Sequence, residues 1–410
     1  MSNFASFQQS FKGDLVTPTD QGYNDAIERW AHNAARRAKI VAFVKDASDV
    51  SLAVNASGAS SVEDGLVIDL SKYVDGVTVD AEKRLAHVGG GALWRTVDHT
   101  CIQYGLATVG GTVNHATVVV GDGSILTANA SENSDLFYGI RGGGCNFGVV
   151  TEFVLQLHPQ RRTVFGGLLY FTEDKLEQIA TALDIWWPNA GESGALMCIP
   201  ALIENTPWVL LQLFYNGSET EGKDHFKAFY DIGPFKADAA DIPYEEMNSM
   251  NNVFAPLNLN YYMKGALLSE KPSQDLTREM FDRIIKFSQE DLNVGLVLEY
   301  LPHGKINSVP DDTTPYRRNL HGHAVFLIQW KEHSPEKQSL ARDVSHNLAG
   351  LLSDGQCYGN YGSIDETSEK KTLDATQKLF GKHYPKLQDI KKKYDPDMLF
   401  RLWFPIRPSA

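Results

Sequence analysis

Two textures of apolar and polar positions divide this chain, and they meet near Thr163. Before that point the apolar runs are short. IVAFV (40–44) reads as a buried strand, and GLVIDL (65–70), VTVD (77–80) and RLAHV (84–88) as further strands, the last two a pair. Tyr23, Ile27, Trp30, Ala31 and Ala34 recur at helical spacing, which predicts a helix from Gly22 to Ala38. A short helix follows IVAFV, with Ser48 as its N-cap and Val54 near its end. A β-α unit normally returns to its sheet with a second parallel strand. Here the helix runs into NASGASSVEDG, a stretch of loop composition, so the pattern predicts a unit without its returning strand.

ALWRTVDHTCIQY predicts a helix with Leu93, Val97, Cys101 and Tyr104 on one face. TVVVGDGSILTAN predicts a hairpin turned by Gly121-Asp122-Gly123, and SDLFYGI a short helix capped by Ser134 and ended by the RGGG loop. A strand over 149–158 closes this half. Beyond Thr163, longer strands (VFGGLLYF, ALMCIPAL, WVLLQLFY, GLVLEYL, HAVFLIQW) alternate with helices near 174–185, 221–231, 273–289 and 334–353. That pattern predicts an α+β region, one antiparallel sheet with helices on one face. Two more helices are expected around 366–380 and 384–394, and no repeat or low-complexity segment is present.

Charge narrows the partners. A 410-residue chain with a formal charge of -13 lacks the basic surface that nucleic acid requires, and an anionic membrane repels it. A small molecule is the expected partner. The N-terminal stretch has no apolar signal region and no run approaches a membrane span, so a cytoplasmic location is expected. The four cysteines (Cys101, Cys145, Cys198, Cys357) are far apart, which indicates neither a zinc knuckle nor a disulfide framework.

Most chemical motifs weaken on inspection. GSETEGKD (217–224) has a P-loop skeleton, but Asp224 replaces the final hydroxyl residue and Glu219 and Glu221 would repel phosphates; a strand-to-helix turn is preferred. His321 and His323 share a strand face, but no third ligand stands at motif spacing, so no metal site is assigned. No HExxH, GxSxG or strand-borne GxGxxG occurs. Three glycine groups remain: 89–91, 110–111 and 142–144. Each alone is a turn; together they suggest backbone pressed against an extended ligand with phosphates, a nucleotide or flavin. Tyr358-Gly-Asn360-Tyr361 is either a turn with two packed aromatics or a site holding a phenol of lowered pKa that accepts a proton.

Taken in order, DASDVSLAV, GASSVEDGLVIDLS, VGGGALW, GLATVGGTVNH, DGSILTANASENSDLFYGIRGGGCNFGVVTEF, YGNY and KKKYDPDMLFR resemble the berberine-bridge-enzyme-like oxidases of the vanillyl-alcohol-oxidase (PCMH-type) FAD superfamily. The resemblance implies a PCMH-type FAD-binding domain over 1–160, a substrate domain over 161–355 with an antiparallel sheet, and a C-terminal segment over 356–410 that returns to the FAD domain. It implies FAD-dependent oxidation of a small alcohol, sugar or secondary-metabolite substrate, with O2 as acceptor. Gly110, Gly111, Gly143, Gly144, Asn146, Gly148, Val149, Val150 and Asn360 are then the cofactor-binding candidates. Tyr361 is the implied general base, acting as hydride leaves the substrate for the flavin, and Tyr358, Gln329 and Tyr316 are the implied cavity lining.

The departures are as informative. The family's RGGGH-type loop, with its flavin-attaching histidine, has no match between Val54 and NASGASS, so the FAD-binding domain is incomplete and any FAD is expected to be non-covalent. A second glycine-rich block is missing where His115 runs directly into Ala116. Cys145 stands where a glycine is usual and is read as an acceptable small buried thiol. Leu402-Trp403 stands where the family has an asparagine. Two clean losses within matching sequence look like skipped exons or an imperfect gene model. The alternative reading is thus a catalytically impaired variant with weak or no FAD binding. In either case Val54-Asn55 and His115-Ala116 are expected near one another, beside an opened cleft.

Overall fold

The computed structural model describes residues 4–55, 62–268, 272–288, 292–318, 322–353, 358–362 and 368–410. Its first layer holds α1 (Phe4–Ser10), β1 (Asp14–Val16), α2 (Tyr23–Ile27), β2 (Ile40–Phe43), α3 (Ala47–Asn55) and β3 (Leu66–Asp69). β1 runs antiparallel to β2, and β2 parallel to β3, from Ile40↔Leu66 to Phe43↔Asp69. The β-α unit therefore does regain its sheet, which corrects the expectation of a missing return strand. Leu66 and Val67 are apolar enough to be buried there, so the sheet closes directly across the junction.

The helix expected from Gly22 to Ala38 stops at Ile27. His32 N–H instead donates to Leu259 O (2.8 Å), and Asn33 exchanges two hydrogen bonds with the Tyr261 backbone (3.0 and 2.9 Å). Pairing with a distant strand takes the groups a helix would have used. At α3 the cap is Asp46, whose Oδ1 accepts from Ser48 N (2.9 Å) and Asp49 N (3.1 Å); Ser48 is already inside the first turn.

A second sheet follows from β4 (Val77–Asp80), β5 (Leu85–Gly89), β6 (Leu106–Val120), β7 (Ile125–Asn129) and β8 (Gly148–Pro159), in the antiparallel order β4-β5-β8-β6-β7. Between its strands run α4 (Trp94–Ile102) and α5 (Ser134–Ile140). Val97 and Cys101 of α4 pack on Ala86, Val88 and Leu155, whereas Leu93 and Tyr104 are exposed, so the apolar face is shorter than predicted. Ser134 does not cap α5; Asn133 holds the cap position in a left-handed conformation. The His115-Ala116 junction lies inside β6. His115, Thr117 and Val119 alternate to one face of that strand, and on this face Val50, Ala53 and Val54 of α3 cluster with Val119. Val119 is four residues, about 13 Å along a strand, from His115.

The third sheet has eight strands: β9 (Thr163–Thr172), β10 (Gly194–Ile203), β11 (Thr206–Tyr215), β12 (Lys236–Ala237), β13 (Ala240–Pro243), β14 (Asn260–Leu268), β15 (Asn293–Tyr300) and β16 (Gly322–Trp330). Every pairing is antiparallel. β14, an edge strand, carries little periodicity and is absent from the sequence reading. The helices α6 (Leu176–Trp186), α7 (Glu219–His225), α8 (Lys227–Ile232), α9 (Gln274–Ser288), α10 (Gly304–Ser308) and α11 (Pro335–Leu352) accompany this sheet. Those other than α7 and α10 bury residues in one core against alternate strand positions such as Leu211, Leu298, Ala324 and Phe326. Ser218 and Glu221 form a capping box at α7, so GSETEGKD is the strand-to-helix turn expected.

The tail, α12 (Glu369–Phe380) and α13 (Tyr384–Tyr394), returns to the second sheet. Phe380, Leu387, Ile390, Phe404 and Ile406 share a core with Ala116, Val118, Leu136 and Phe147.

Candidate active site

On β15 and β16 the residues that alternate with the core point away from the helices. Glu299 and His323 are register partners on that face, and both are buried. Above them sits one 3-10 turn, Gly359–Tyr361, closed by Tyr361 N–H to Tyr358 O (2.9 Å). This turn drives two phenols toward the sheet. Tyr361 Oη donates to Glu299 Oε1 at 2.7 Å. Tyr358 packs edge-on against Tyr361 (5.3 Å between ring centroids) and against Tyr316 (5.9 Å), which arrives from the segment before β16. Tyr316 Oη lies 3.4 Å from His323 Nε2, and His303 adds a second buried imidazole 5.9 Å from His323.

Burial shifts the proton affinity of each titratable group in the cluster. Burial pushes the Glu299 carboxyl above the ordinary range, against the hydrogen bond from Tyr361. Burial, reinforced by Glu299, pushes Tyr361 far up as well. Tyr316 is pushed up to about 12, chiefly by burial, and His323 down to about 4 by burial and by His303. Of the two readings of YGNY, the one that needs a phenol of lowered pKa runs against the direction found: next to a carboxylate and out of water, the Tyr361 proton is held more tightly.

Of the substrate-side candidates, Tyr358 and Tyr316 converge with Tyr361, and Gln329 does not. Gln329 is six residues along β16 from His323, about 20 Å away. Its amide is engaged by Phe254 O (2.5 Å) and Asn293 Nδ2 (3.3 Å). Asn360 is exposed and donates to Tyr358 Oη (2.8 Å). Glu299, His303 and His323, which the fold brings to this cluster, are not among the residues that the sequence pattern singles out for it. The only signal was the face shared by His321 and His323, and His321 lies outside the described residues, as does Cys357.

The glycine groups behave differently from a phosphate cradle. The N–H groups of Gly89, Gly90 and Gly91 donate to Gly76 O, Thr151 O and Val74 O, each at 2.9 Å. A Cβ on Gly90 would stand 2.0 Å from Val150 O, and on Gly91 2.3 Å from Leu70 O. Close approach is needed there, but by the chain to itself. Gly110 and Gly111 lie inside β6, where its register against β8 shifts, rather than in a loop. Gly143 packs on Gly139 O and Phe147, Gly144 (φ 62°) on the Trp403 indole, and Gly148 on Val119 O. Val149 and Val150 pair with Val119 and Val118. Asn146 is a clasp for the tail: its amide donates to Gly143 O and Trp403 O, and its Oδ1 accepts from Ile406 N (3.0 Å). Cys145 is exposed, not the buried thiol expected. The polar surface that remains is the α3 side of the second sheet. There His87 Nδ1 lies 3.6 Å from Glu152 Oε2, with both side chains about 40% exposed (42% and 41%) and the His115 ring 6.4 Å from His87.

The Gly89–Gly91 donors thus do not fit a pyrophosphate. Among the described residues no three His, Cys, Asp or Glu side chains converge on a metal, and no helix is long and apolar enough to cross a membrane.

Comparison with known proteins shows what the chain is similar to. Residues 31–147 match the model of an FAD binding domain, and residues 357–407 that of the berberine and berberine-like segment. The chain thus resembles the berberine-like FAD-linked oxidoreductases, and FAD is the cofactor that the resemblance implies. Its relatives include the FAD-linked oxidoreductase pgmH of Aspergillus terreus, 27% identical, covering 98% of this chain and 95% of the relative. That alignment runs over 465 positions, more than the 410 residues present, so the relative carries residues that this chain lacks. Solved structures share the α+β fold. The 6-hydroxy-D-nicotine oxidase of Arthrobacter nicotinovorans has a TM-score of 0.85 at 20% identity, covering 98% of this chain and 99% of the other. The xylooligosaccharide oxidase of Myceliophthora thermophila, solved with xylobiose, has a TM-score of 0.81 at 16% identity, covering 99% of both.

Proposed function

We propose that the chain oxidises a small hydroxylated substrate with Tyr361 and Glu299 acting as one proton-accepting unit. The observation that supports this is the 2.7 Å hydrogen bond from Tyr361 Oη to Glu299 Oε1 inside a buried cluster. A phenol whose pKa is raised is a poor base alone. It becomes competent when it passes its own proton to Glu299 while taking one from a substrate hydroxyl, because no net charge is then created on the tyrosine. Tyr358, Tyr316 and His323 line the approach; His323, neutral above about pH 4, offers an acceptor or a donor without adding charge. FAD supplies the oxidising power when bound, and O2 is the proposed terminal acceptor. We place the FAD-binding part in 1–160 with the returning tail 356–410, and the substrate part in 161–355. A small alcohol, sugar or secondary metabolite is the proposed substrate class; the nicotine- and xylo-oligosaccharide-oxidising neighbours support that range.

The test is O2 consumption by FAD-supplemented protein over a panel of alcohols and sugars, with Tyr361→Phe and Glu299→Gln in parallel. Loss of turnover in both variants supports the paired base; normal turnover in either rejects it. The second reading, an impaired variant, is favoured by one observation: all three Gly89–Gly91 donors are already engaged within the chain. Protein that purifies colourless and gains no flavin fluorescence quenching on titration with FAD is the outcome it expects.

A further inference from the structure

Arg141 and Arg318 are half-buried, and neither guanidinium is paired with a carboxylate among the described residues. They reach the same place from different parts of the chain. Arg141 Nη2 donates to Thr313 O (3.3 Å) and Arg318 Nη2 to the adjacent Thr314 Oγ1 (2.9 Å). Each guanidinium is held by a ring: Arg141 lies 4.0 Å from the Phe137 centroid and Arg318 5.4 Å from that of Tyr316. The two segments lie close, since a Cβ on Gly142 would stand 2.9 Å from Pro315 Cγ and 3.1 Å from Tyr316 N.

Donor capacity is left over. A guanidinium has five N–H groups. Arg141 uses its Nε for Phe137 O and one Nη2 hydrogen for Thr313 O. Arg318 uses Nη1 for Ile306 O and Nη2 for Thr314, while its Nε is buried with no partner. Two cations so placed repel each other: burial and the Arg318 charge both push Arg141 down. The Asp311 carboxylate meets the Arg318 backbone N–H, and among the described residues no ion pair joins a carboxylate to either guanidinium. A buried donor without an acceptor is costly, and a planar fork matches a carboxylate.

We infer that Arg141 and Arg318 form an anion subsite that takes the carboxylate of the substrate, beside Tyr316, which reaches the Tyr361–Glu299 pair through Tyr358 and His323. The inference rests on the proposed active site and narrows its substrate class from neutral alcohols and sugars to hydroxylated acids. Arg318 stacks on the ring whose hydroxyl meets His323, so an acid held there extends its other end toward the phenol cluster.

Binding, not turnover, is the test, which separates it from the oxidation reading. The purified chain is titrated calorimetrically with 4-hydroxybenzoate, with 4-hydroxybenzyl alcohol and with ADP. The acid should bind at least about tenfold more tightly than the alcohol, as a charge-assisted pair requires. Arg141→Gln and Arg318→Gln should each abolish that preference. Tyr361→Phe should keep it, even in protein that turns nothing over. Arg318→Lys guards against misfolding: it keeps the charge and should retain part of the preference. Equal binding of acid and alcohol by wild type overturns the inference. So does ADP binding that falls in the Gln variants, which would assign the arginines to a cofactor phosphate.

Discussion

Tyr361 and Glu299 are two ends of one hydrogen bond, and their substitution effects should therefore not add. With a substrate in hand, Tyr361→Phe is expected to lower kcat by on the order of 10²-fold, as loss of a general base does. Glu299→Gln should cost a similar factor, and the double variant little more. Because the Glu299 carboxyl is held above its ordinary range, the acidic limb of the kcat/KM profile should lie above pH 4.5, the value of an unperturbed glutamate; a limb at or below that value rejects Glu299 as proton acceptor. His323 has the opposite sign. Its folded value, about 4, lies below 6.5, so the unfolded chain binds more protons between those limits. Stability from this group is full above about pH 6.5 and is lost as pH falls toward 4. The loss is on the order of 3 kcal/mol at most. Urea unfolding at pH 7 and pH 5 should show a smaller drop for His323→Phe than for wild type.

At the scale of elements, the tail is fastened by a buried cation. Lys391 Nζ on α13 donates to Asp395 Oδ2 (2.5 Å), Asn146 O (2.6 Å) and Phe400 O (2.6 Å). Asp395 in turn accepts from Leu399 N (2.8 Å) and Phe400 N (2.9 Å), which turns the chain back toward Trp403. Removing one partner of a buried pair leaves the other uncompensated. Lys391→Met should therefore destabilise by about 3–5 kcal/mol, read as a lower denaturant midpoint. A shift under 1 kcal/mol would show that the tail is held by its apolar contacts alone. Gly144→Ala should also destabilise, because its left-handed φ of 62° and the Trp403 ring 2.6 Å from an added Cβ both oppose a side chain.

For the whole molecule the open quantity is the flavin. No attachment histidine or cysteine matches, and the Gly89–Gly91 donors are engaged within the chain, so bound FAD should be weak and non-covalent. Acid precipitation of flavin-loaded protein should leave all flavin absorbance in the supernatant. Flavin that stays with the pellet would show a covalent link and overturn the alignment of the missing histidine. Restoring coding sequence at Val54-Asn55 and His115-Ala116, if genomic sequence contains it, should raise FAD affinity by at least tenfold, about 1.4 kcal/mol. Both junctions meet the same face of the second sheet, where α3 packs on Val119 and His115 points outward.

Local pattern was enough for the long elements. The strands β9, β10, β11, β15 and β16 and helices such as α9 and α11 carry periodicity over eight or more residues, which few alternatives satisfy. The order of motifs carried the class, and YGNY carried the two phenols. What pattern could not supply was set by contacts between distant segments. Gly22–Ala38 lost most of its helix to a backbone partner at Leu259–Tyr261. The 89–91 glycines, which read as a phosphate loop, are tight because strands cross there. Glu299 looked like any strand carboxylate until the fold carried Tyr361, 62 residues away, onto it. Proton affinity was decided in the same way: the sequence names a tyrosine, but burial and the carboxylate that the fold places beside it determine which way its pKa moves.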